Sequence, residues 1–325
     1  MRNADTFLRQ TCQTGDRHER SRRDFLKTMS AFPVAAAAAR AAVPALATPV
    51  GQAVLPQIQL GPHRISRLVC GSNPFNGNSH LSVFVNNEMR RYFTSEQVLK
   101  TLRRCEDVGI NCWQSGHWNY DLHCRFVDEG GKMHFLAIEE GKSDVMWNLT
   151  RGGCIGISHH GAVTDDLFRS GRLDQIHDFL KRVHDAGLLA GVSTHIPEVV
   201  DTIESKGWEL DYYMTCVYHW HRSEDDLKKL LGRIPLPPDE VYLAEDPPRM
   251  FQSIRNAKRP CLAFKILAAG RRADNKEQVE RAFRETYHAI KPTDGAIIGI
   301  YDRYGDQPGE NAGFVHAYGS RPQPG

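Results

Sequence analysis

Apolar and polar positions along residues 154–195 are ordered as a strand, a loop, a helix and a second strand. An apolar run at 154–158 is followed by His160, and a second run at 188–192 is followed by His195. The helix between them is predicted from apolar residues at steps of three and four: Leu173, Ile176, Phe179, Leu180 and Val183. Because a right-handed crossover returns the chain to the same edge, both histidines are expected at one rim.

The same alternation recurs along the rest of the chain and predicts eight parallel strands separated by helical stretches. The predicted strands are 67–70, 110–114, 133–138, 154–158, 188–192, 212–218, 261–266 and 296–299. An earlier alternation at 55–70, broken by Gly61 and Pro62, predicts a short hairpin leading into the first strand. Eight strand and helix units favour a closed barrel over an open sheet. The predicted fold class is α/β, a (β/α)8 TIM barrel with a short N-terminal hairpin.

The first 47 residues match an export signal. Residues 21–27 read Ser-Arg-Arg-Asp-Phe-Leu-Lys, the signature of twin-arginine export, and Ala-Leu-Ala at 45–47 follows an alanine-rich run as a cleavage site. Arg40 interrupts that run, which is too weakly apolar to be a stable membrane span. We expect the twin-arginine translocation machinery to export the protein, to the periplasm or its equivalent. Residues 1–47 would then be removed, and 48–325 would form a single domain.

Charge and cysteine content narrow the expected partners. The chain has 325 residues, with 41 Lys and Arg against 39 Asp and Glu, so it lacks the basic field that attracts nucleic acid. A small-molecule substrate is therefore expected. Of eight cysteines, Cys12 lies in the predicted signal, and the others show no C-x-x-C spacing. We expect no disulfide framework.

Many polar residues follow the predicted strands and would converge at one rim of the barrel. They are Gln114, His117, Tyr120, Glu139, His160, His195, His219, Glu245 and Lys265. A barrel core has no structural need for so many ionisable groups, so part of this set is expected to bind or transform a small molecule. Lys265 lies inside an apolar run. It is expected either to pair with a carboxylate or to have a lowered pKa and act as a base or imine-former.

The order of elements, with four short segments, resembles the aldo/keto reductase family. The segments are Gly-Ile-Asn at 109–111; His160 and Gly161 followed by Asp165, Leu167 and Gly171; Gly-Val-Ser at 191–193; and Gly299 followed by Gln307, Glu310 and Asn311. This resemblance implies a barrel that holds NAD(P). The cofactor-binding residues that it implies are Ser193, Arg303, Gln307, Glu310 and Asn311.

The catalytic set of that family, Asp, Tyr, Lys and His, is only partly present. His160 takes the histidine position and Gln114 the aspartate position, while Tyr120 or its neighbour Asn119 takes the tyrosine position. Glu139 lies close to the lysine position, where a carboxylate would raise the pKa of a tyrosine instead of lowering it. The resemblance implies an exported oxidoreductase for a carbonyl or sugar-type compound with tightly held NAD(P). Its candidate catalytic residues are His160, Tyr120, Glu139, Lys265 and Gln114.

Two other functions are compatible with the same residues. One is a non-redox lyase or isomerase for sugars, in which a divalent metal bound by Glu139, His160 and His195 would polarise the substrate. No short metal-binding motif such as H-E-x-x-H accompanies these residues. The other is a non-catalytic binding protein on the same scaffold, because a fold does not fix a function.

Overall fold

The computed structural model describes residues 54–140, 149, 153–220, 222–238 and 240–320. The predicted signal at 1–47 and most of a helix predicted at 143–150 lie outside the described residues. The described chain begins with an antiparallel hairpin, β1 (Gln57–Leu60) and β2 (His63–Ser66). Its turn contains Gly61 at φ +55°, a left-handed conformation that glycine adopts without steric cost.

Eight parallel strands form a closed barrel. They are β3 (Leu68–Gly71), β4 (Cys112–Gly116), β5 (His134–Glu139), β6 (Cys154–His159), β7 (Leu189–Thr194), β8 (Tyr212–Cys216), β9 (Cys261–Phe264) and β10 (Gly295–Gly299). Each strand pairs in parallel with the next, and β10 closes the cylinder by pairing with β3. The predicted (β/α)8 TIM barrel with its N-terminal hairpin is confirmed.

Helices surround the barrel and bury their apolar faces against it. Those of the described residues are α1 (Val83–Tyr92), α2 (Ser95–Asp107), α3 (Tyr120–Asp128), α4 (Gly161–Arg169), α5 (Asp174–Asp185), α6 (Pro197–Lys206), α7 (Glu224–Leu231), α8 (Asp246–Asn256), α9 (Lys276–Ala289) and α10 (Gln307–Tyr318). The loop predicted after His160 was wrong, because α4 begins at the next residue. Gly171, at φ +70°, separates α4 from the predicted helix α5.

The hairpin fills the amino end of the barrel. Ile58, Leu60 and Ile65 pack in one apolar cluster with interior residues such as Val69 and Leu262. Leu60 and Ile65 are fully buried, and burying each such side chain contributes roughly 1.5–3 kcal/mol. The hairpin therefore closes one end of the cylinder, and the polar strand ends lie at the other.

Cysteines and helix lengths agree with an ordinary globular interior. In the described ranges all seven cysteines are unpaired, and six of them are buried. Burial raises the pKa of Cys154 and that of Cys216 to about 12. The helices of the described residues include none with both the length and the apolarity needed to cross a bilayer.

Candidate active site

A cavity of about 480 Å³ opens at the carboxyl ends of the barrel strands. Five of the predicted site residues line it: Gln114, His160, Ser193, His195 and Lys265. Gln114 and Ser193 face inward from β4 and β7, and the other three follow β6, β7 and β9. Strand ends at this face carry the active sites of most TIM-barrel enzymes.

Asp165 and His195 form a buried pair at one side of this cavity. The Nδ1 of His195 lies 2.7 Å from the Oδ2 of Asp165, and the hydroxyl of Thr194 donates to Oδ1 at 2.6 Å. An imidazole that donates Nδ1–H to a carboxylate carries its lone pair on Nε2, which makes Nε2 the basic nitrogen. A Cβ at Gly161 would lie 2.9 Å from Cε1 of His195, so glycine at the start of α4 lets the helix approach the ring.

Lys265, His80 and Glu240 form a connected chain in the same lining, and Trp220 contacts both Lys265 and His195. The Nζ of Lys265 lies 3.0 Å from Nε2 of His80, and Nδ1 of His80 lies 2.7 Å from Oε1 of Glu240. Asn73 also points its amide nitrogen at Nε2, at 3.4 Å. With two donors directed at Nε2, that nitrogen is the acceptor and Nδ1–H donates to Glu240.

Burial and neighbouring charges shift the pKa values of Lys265 and Glu240. Burial lowers the pKa of Lys265, although the negative charge of Glu240 opposes the shift. Burial would raise the pKa of Glu240, but the hydrogen bond from His80 and the charges of Lys265 and Arg271 outweigh it and lower that pKa. Sequence reasoning missed His80 and Glu240, because both lie in loops without apolar periodicity.

The backbone at both ends of the Lys265–His80 contact is strained. The predicted strand at 261–266 ends earlier, at Phe264, and Lys265 adopts a left-handed φ of +57°. His80 also has a φ of +57°. Such conformations cost about 1–3 kcal/mol in residues other than glycine and cluster at functional sites.

His159 and His160 are adjacent but have different surroundings. His159 lies in the wall of the barrel, where its Nδ1 hydrogen-bonds Thr164 and its ring packs on Phe179. Burial lowers its pKa to about 4. His160 lines the cavity, and its buried Nδ1 has no hydrogen-bond partner among the described residues. A buried nitrogen of this kind is available to a bound ligand.

Two predicted catalytic residues, Glu139 and Tyr120, do not line the cavity. Successive residues of a strand point to opposite faces, so Ile138 takes the inward position at the end of β5 and Glu139 accepts a hydrogen bond from His117 instead. Tyr120 packs against Phe135 in the layer between α3 and the barrel, and burial raises its pKa. Three further rim candidates also lie outside the lining: His117, His219 and Glu245.

The residues that the resemblance assigns to NAD(P) do not form one surface with the cavity. Arg303 pairs with Glu88 at 2.7 Å, and Oε1 of Gln307 accepts the backbone N–H of Tyr301 at 2.8 Å. The Oε1 of Glu310 lies 3.6 Å from the Nζ of Lys276. Together with the buried Asn311, all four of these cofactor candidates lie outside the lining, which contains Ser193 alone of the set. Their assignment to the adenosine end of NAD(P) stays a prediction.

The three residues predicted to bind a metal, Glu139, His160 and His195, do not point to one place. Glu139 is directed at His117, away from the cavity that His160 and His195 share. In the part of the chain that the structure describes, no three His, Cys, Asp or Glu side chains are grouped as a metal ion would require. We derive no catalytic step through a metal.

No protein-family model matches the chain, and no curated protein matches it significantly. Solved structures resemble it at low identity. A glycerol dehydrogenase, AKR11B4, from Gluconobacter oxydans has 13% identity and a TM-score of 0.47, covering 83% of this chain and 91% of that one. The holo aldo-keto reductase AKR11C1 from Bacillus halodurans has 13% identity and a TM-score of 0.46, covering 83% and 93%.

A truncated 3-deoxy-D-arabino-heptulosonate 7-phosphate synthase from Thermotoga maritima is about as similar. It has 11% identity and a TM-score of 0.46, covering 81% of this chain and 90% of that one. These TM-scores are below 0.5, so function has to be argued from the site itself. Fold and site together define a TIM barrel whose carboxyl end holds a histidine–carboxylate pair and a half-buried lysine, both next to Trp220.

Proposed function

We propose that this protein is an enzyme that moves a proton at a carbon next to the carbonyl group of a small hydroxylated compound. The observation that carries the proposal is the Asp165–His195 pair, because its His195 lines the same cavity as Lys265. The reaction class is that of a lyase or isomerase, as in the non-redox alternative from the sequence. It needs neither Glu139 nor a metal.

Each residue of the cavity has a distinct part in this proposal. Nε2 of His195 accepts the proton from carbon, and Asp165 stabilises the imidazolium that forms. Lys265 stabilises the electron pair that the carbon releases toward the carbonyl group. Gln114, Ser193 and His160 offer hydrogen bonds to hydroxyl groups of the substrate. The substrate is small because it must fit about 480 Å³.

Hydrogen exchange tests this function directly. Protein is incubated in D2O with a panel of small hydroxyaldehydes and hydroxyketones, and NMR follows the loss of hydrogen next to the carbonyl. We expect exchange with at least one compound and a loss of about 100-fold or more in His195→Gln. His177→Gln is the matched control, because His177 stacks on Trp208 at the outside of α5. Equal rates for wild type and His195→Gln would refute the proposal.

The oxidoreductase implied by the sequence resemblance is a second candidate. It is favoured by one observation: His160 and Ser193, two residues on which the resemblance rests, line one cavity with Gln114, which takes the family's aspartate position. Titration with NADPH, followed by protein fluorescence, tests it. Saturable binding that Arg303→Ala weakens at least tenfold would support this candidate. If NADPH does not bind, the oxidoreductase is excluded and the proposed acid–base enzyme remains. If hydrogen exchange is absent as well, the non-catalytic binding protein remains.

We also propose that the twin-arginine machinery exports the chain. The support is the Ser-Arg-Arg-Asp-Phe-Leu-Lys segment at 21–27 and the cleavage motif at 45–47. Fractionation of cells that express the full chain tests the proposal. A shortened protein is expected in the exported fraction, and Arg22→Lys combined with Arg23→Lys is expected to keep the chain in the cytoplasm. Export of that double variant would contradict the assignment.

A further inference from the structure

We propose that Lys265 reacts covalently with the substrate, forming an imine between its Nζ and the carbonyl carbon. The proposal rests on the function proposed above and deepens it. It names the substrate class as aldehydes and ketones and excludes carboxylic acids and esters, which do not form imines at a lysine. The argument has three parts: the surroundings of Nζ, the route for its proton, and the chemistry of the step.

The surroundings of Nζ are unusual for a buried lysine. It lies 4.4 Å from the ring centre of Trp220 and 3.4 Å from the hydroxyl of Tyr242. Buried lysines are normally paired directly with a carboxylate. Here the described residues place no carboxylate in an ion pair with Nζ, and Glu240 is reached through His80. The face of Trp220 favours the ammonium form, whereas burial and the lack of a directly paired carboxylate favour the neutral amine.

His80 provides the route for that proton. Its Nε2 accepts from Lys265 and its Nδ1 donates to Glu240. Transfer of a proton from the ammonium to Nε2 produces a neutral amine and an imidazolium that Glu240 stabilises. Arg271, which lies 3.7 Å from Glu240, adds positive charge close to the lysine and further favours its neutral form. The titratable and charged groups around Nζ are His80, Tyr242, Glu240, Arg271 and Cys216.

The step balances without any oxidant or reductant. Neutral Nζ attacks the carbonyl carbon, and a C–N bond forms as the carbonyl oxygen takes the proton held by the His80 imidazolium. The oxygen takes a second proton from Nζ and leaves as water as the C–O bond breaks, and the product is a protonated imine. When His195 removes a proton from the neighbouring carbon, the electron pair moves to the imine nitrogen. Reprotonation and hydrolysis by water then return the amine and release the product.

Fixed geometry on both sides of the contact supports this role. Lys265 and His80 both have left-handed backbone conformations, and each is held near the other at the cavity wall. Burial also lowers the pKa of Lys265, which enlarges its neutral fraction near pH 7. A hydrogen bond to an imidazole nitrogen, unlike one to a carboxylate, brings no negative charge that would hold the proton on Nζ.

Reductive trapping tests the inference. The full protein is mixed with dihydroxyacetone and sodium borohydride at pH 7, and intact mass and peptide mapping locate any adduct. We expect one adduct per chain, on Lys265, because borohydride reduces the imine to a stable amine. Lys265→Arg keeps the positive charge, and Lys265→Met replaces the lysine by an unbranched apolar side chain of similar length. Neither variant is expected to give this adduct. The exposed Lys258→Met is the matched control and should be labelled like wild type.

His80→Gln gives a second measurement that does not require removing the lysine. Its trapping rate at pH 7 is expected to fall at least tenfold and to recover above pH 9, where the amine loses its proton to solvent. Labelling spread over surface lysines, equal in wild type and Lys265→Arg, would overturn the imine. If hydrogen exchange still depended on His195 in that case, the proposed function would stand. An adduct on Lys265 without hydrogen exchange would support the imine and overturn the proposed function.

Discussion

The Oδ2 of Asp165 lies 2.7 Å from the Nδ1 of His195, although 30 residues separate them in the chain. Helix α4 supplies the carboxylate and the end of β7 supplies the imidazole. This contact fixes both the orientation of the ring and the nitrogen that carries its lone pair. We therefore expect Asp165→Asn to reduce hydrogen exchange by about 10²- to 10⁴-fold with little change in KM. NMR exchange rates at several substrate concentrations measure both parameters.

Thr194→Val is the control for Asp165→Asn. It removes one hydrogen bond to Asp165 but leaves the bond between Asp165 and His195 in place. We expect it to lower the free energy of unfolding by about 1–2 kcal/mol and to keep the exchange rate within about tenfold of wild type. A loss of rate as large as that of Asp165→Asn would mean that general loosening, and not orientation of His195, explains the effect.

Removing the charge of Lys265 should stabilise the fold while it destroys activity. Burial lowers the pKa of this lysine, so near neutral pH the unfolded chain binds its proton more tightly than the folded protein does. The folded state thus pays a free-energy penalty below the ordinary lysine pKa. We expect Lys265→Met to raise the free energy of unfolding by about 1 kcal/mol, measured by denaturant titration at pH 7. A destabilised Lys265→Met would show that the charged lysine contributes to stability.

His159 should make the fold sensitive to acid. Its pKa is lowered to about 4 by burial, with smaller effects from the charges of His160 and Arg182, whereas an unfolded histidine titrates near 6.5. The contribution of neutral His159 to the free energy of unfolding is fully present above pH 6.5. It is lost as the pH falls toward 4, because the unfolded chain binds a proton at this residue before the folded protein does. The loss from this group is about 3 kcal/mol. Denaturant titrations between pH 7 and 4.5 measure it.

His159→Asn supplies the comparison for this pH effect. Asparagine can still hydrogen-bond Thr164 but does not titrate in this range, so its unfolding free energy should depend less steeply on pH than that of wild type. Parallel curves for the two proteins would assign the acid sensitivity to other buried histidines, such as His123 and His134, whose pKa values burial also lowers.

His160 should affect substrate binding more than stability. Its Nδ1 lacks a hydrogen-bond partner in the described part of the chain, so the folded protein gains little from it. We expect His160→Phe to change the free energy of unfolding by less than about 1 kcal/mol and to raise KM roughly tenfold. A tenfold effect corresponds to one lost hydrogen bond to the substrate. Strong destabilisation with unchanged KM would instead identify His160 as a residue that supports the fold.

Strand and helix periodicity was enough to predict the barrel. The strand predicted at 133–138 is displaced by one residue at both ends from β5, the strand predicted at 154–158 is one residue shorter than β6, and the predicted hairpin is also present. Such patterns show which residues are buried, and a barrel surrounded by helices is built by burying one face of each strand and helix. They carry no information on the connections between elements. The prediction of a loop after His160, where the structure has α4, was wrong for this reason.

The site was harder to predict, because one residue decides which face of a strand a side chain occupies. Glu139 and Ile138 are neighbours, and the apolar one faces the cavity. His80 and Glu240 come from loops 160 residues apart, and the sequence contains no periodic signal that joins them. Asp165 was named only within the segment that carries the resemblance, although an acidic residue on the buried face of α4 indicates a polar partner inside the protein.

The hairpin of β1 and β2 seals the amino end of the cylinder with Ile58, Leu60 and Ile65. Under the proposed function, reactant and product would both pass through the opening at the carboxyl ends of the strands, where His80 lines the cavity. A product left in the cavity would then exclude the next reactant, so the proposed function predicts competitive inhibition by product.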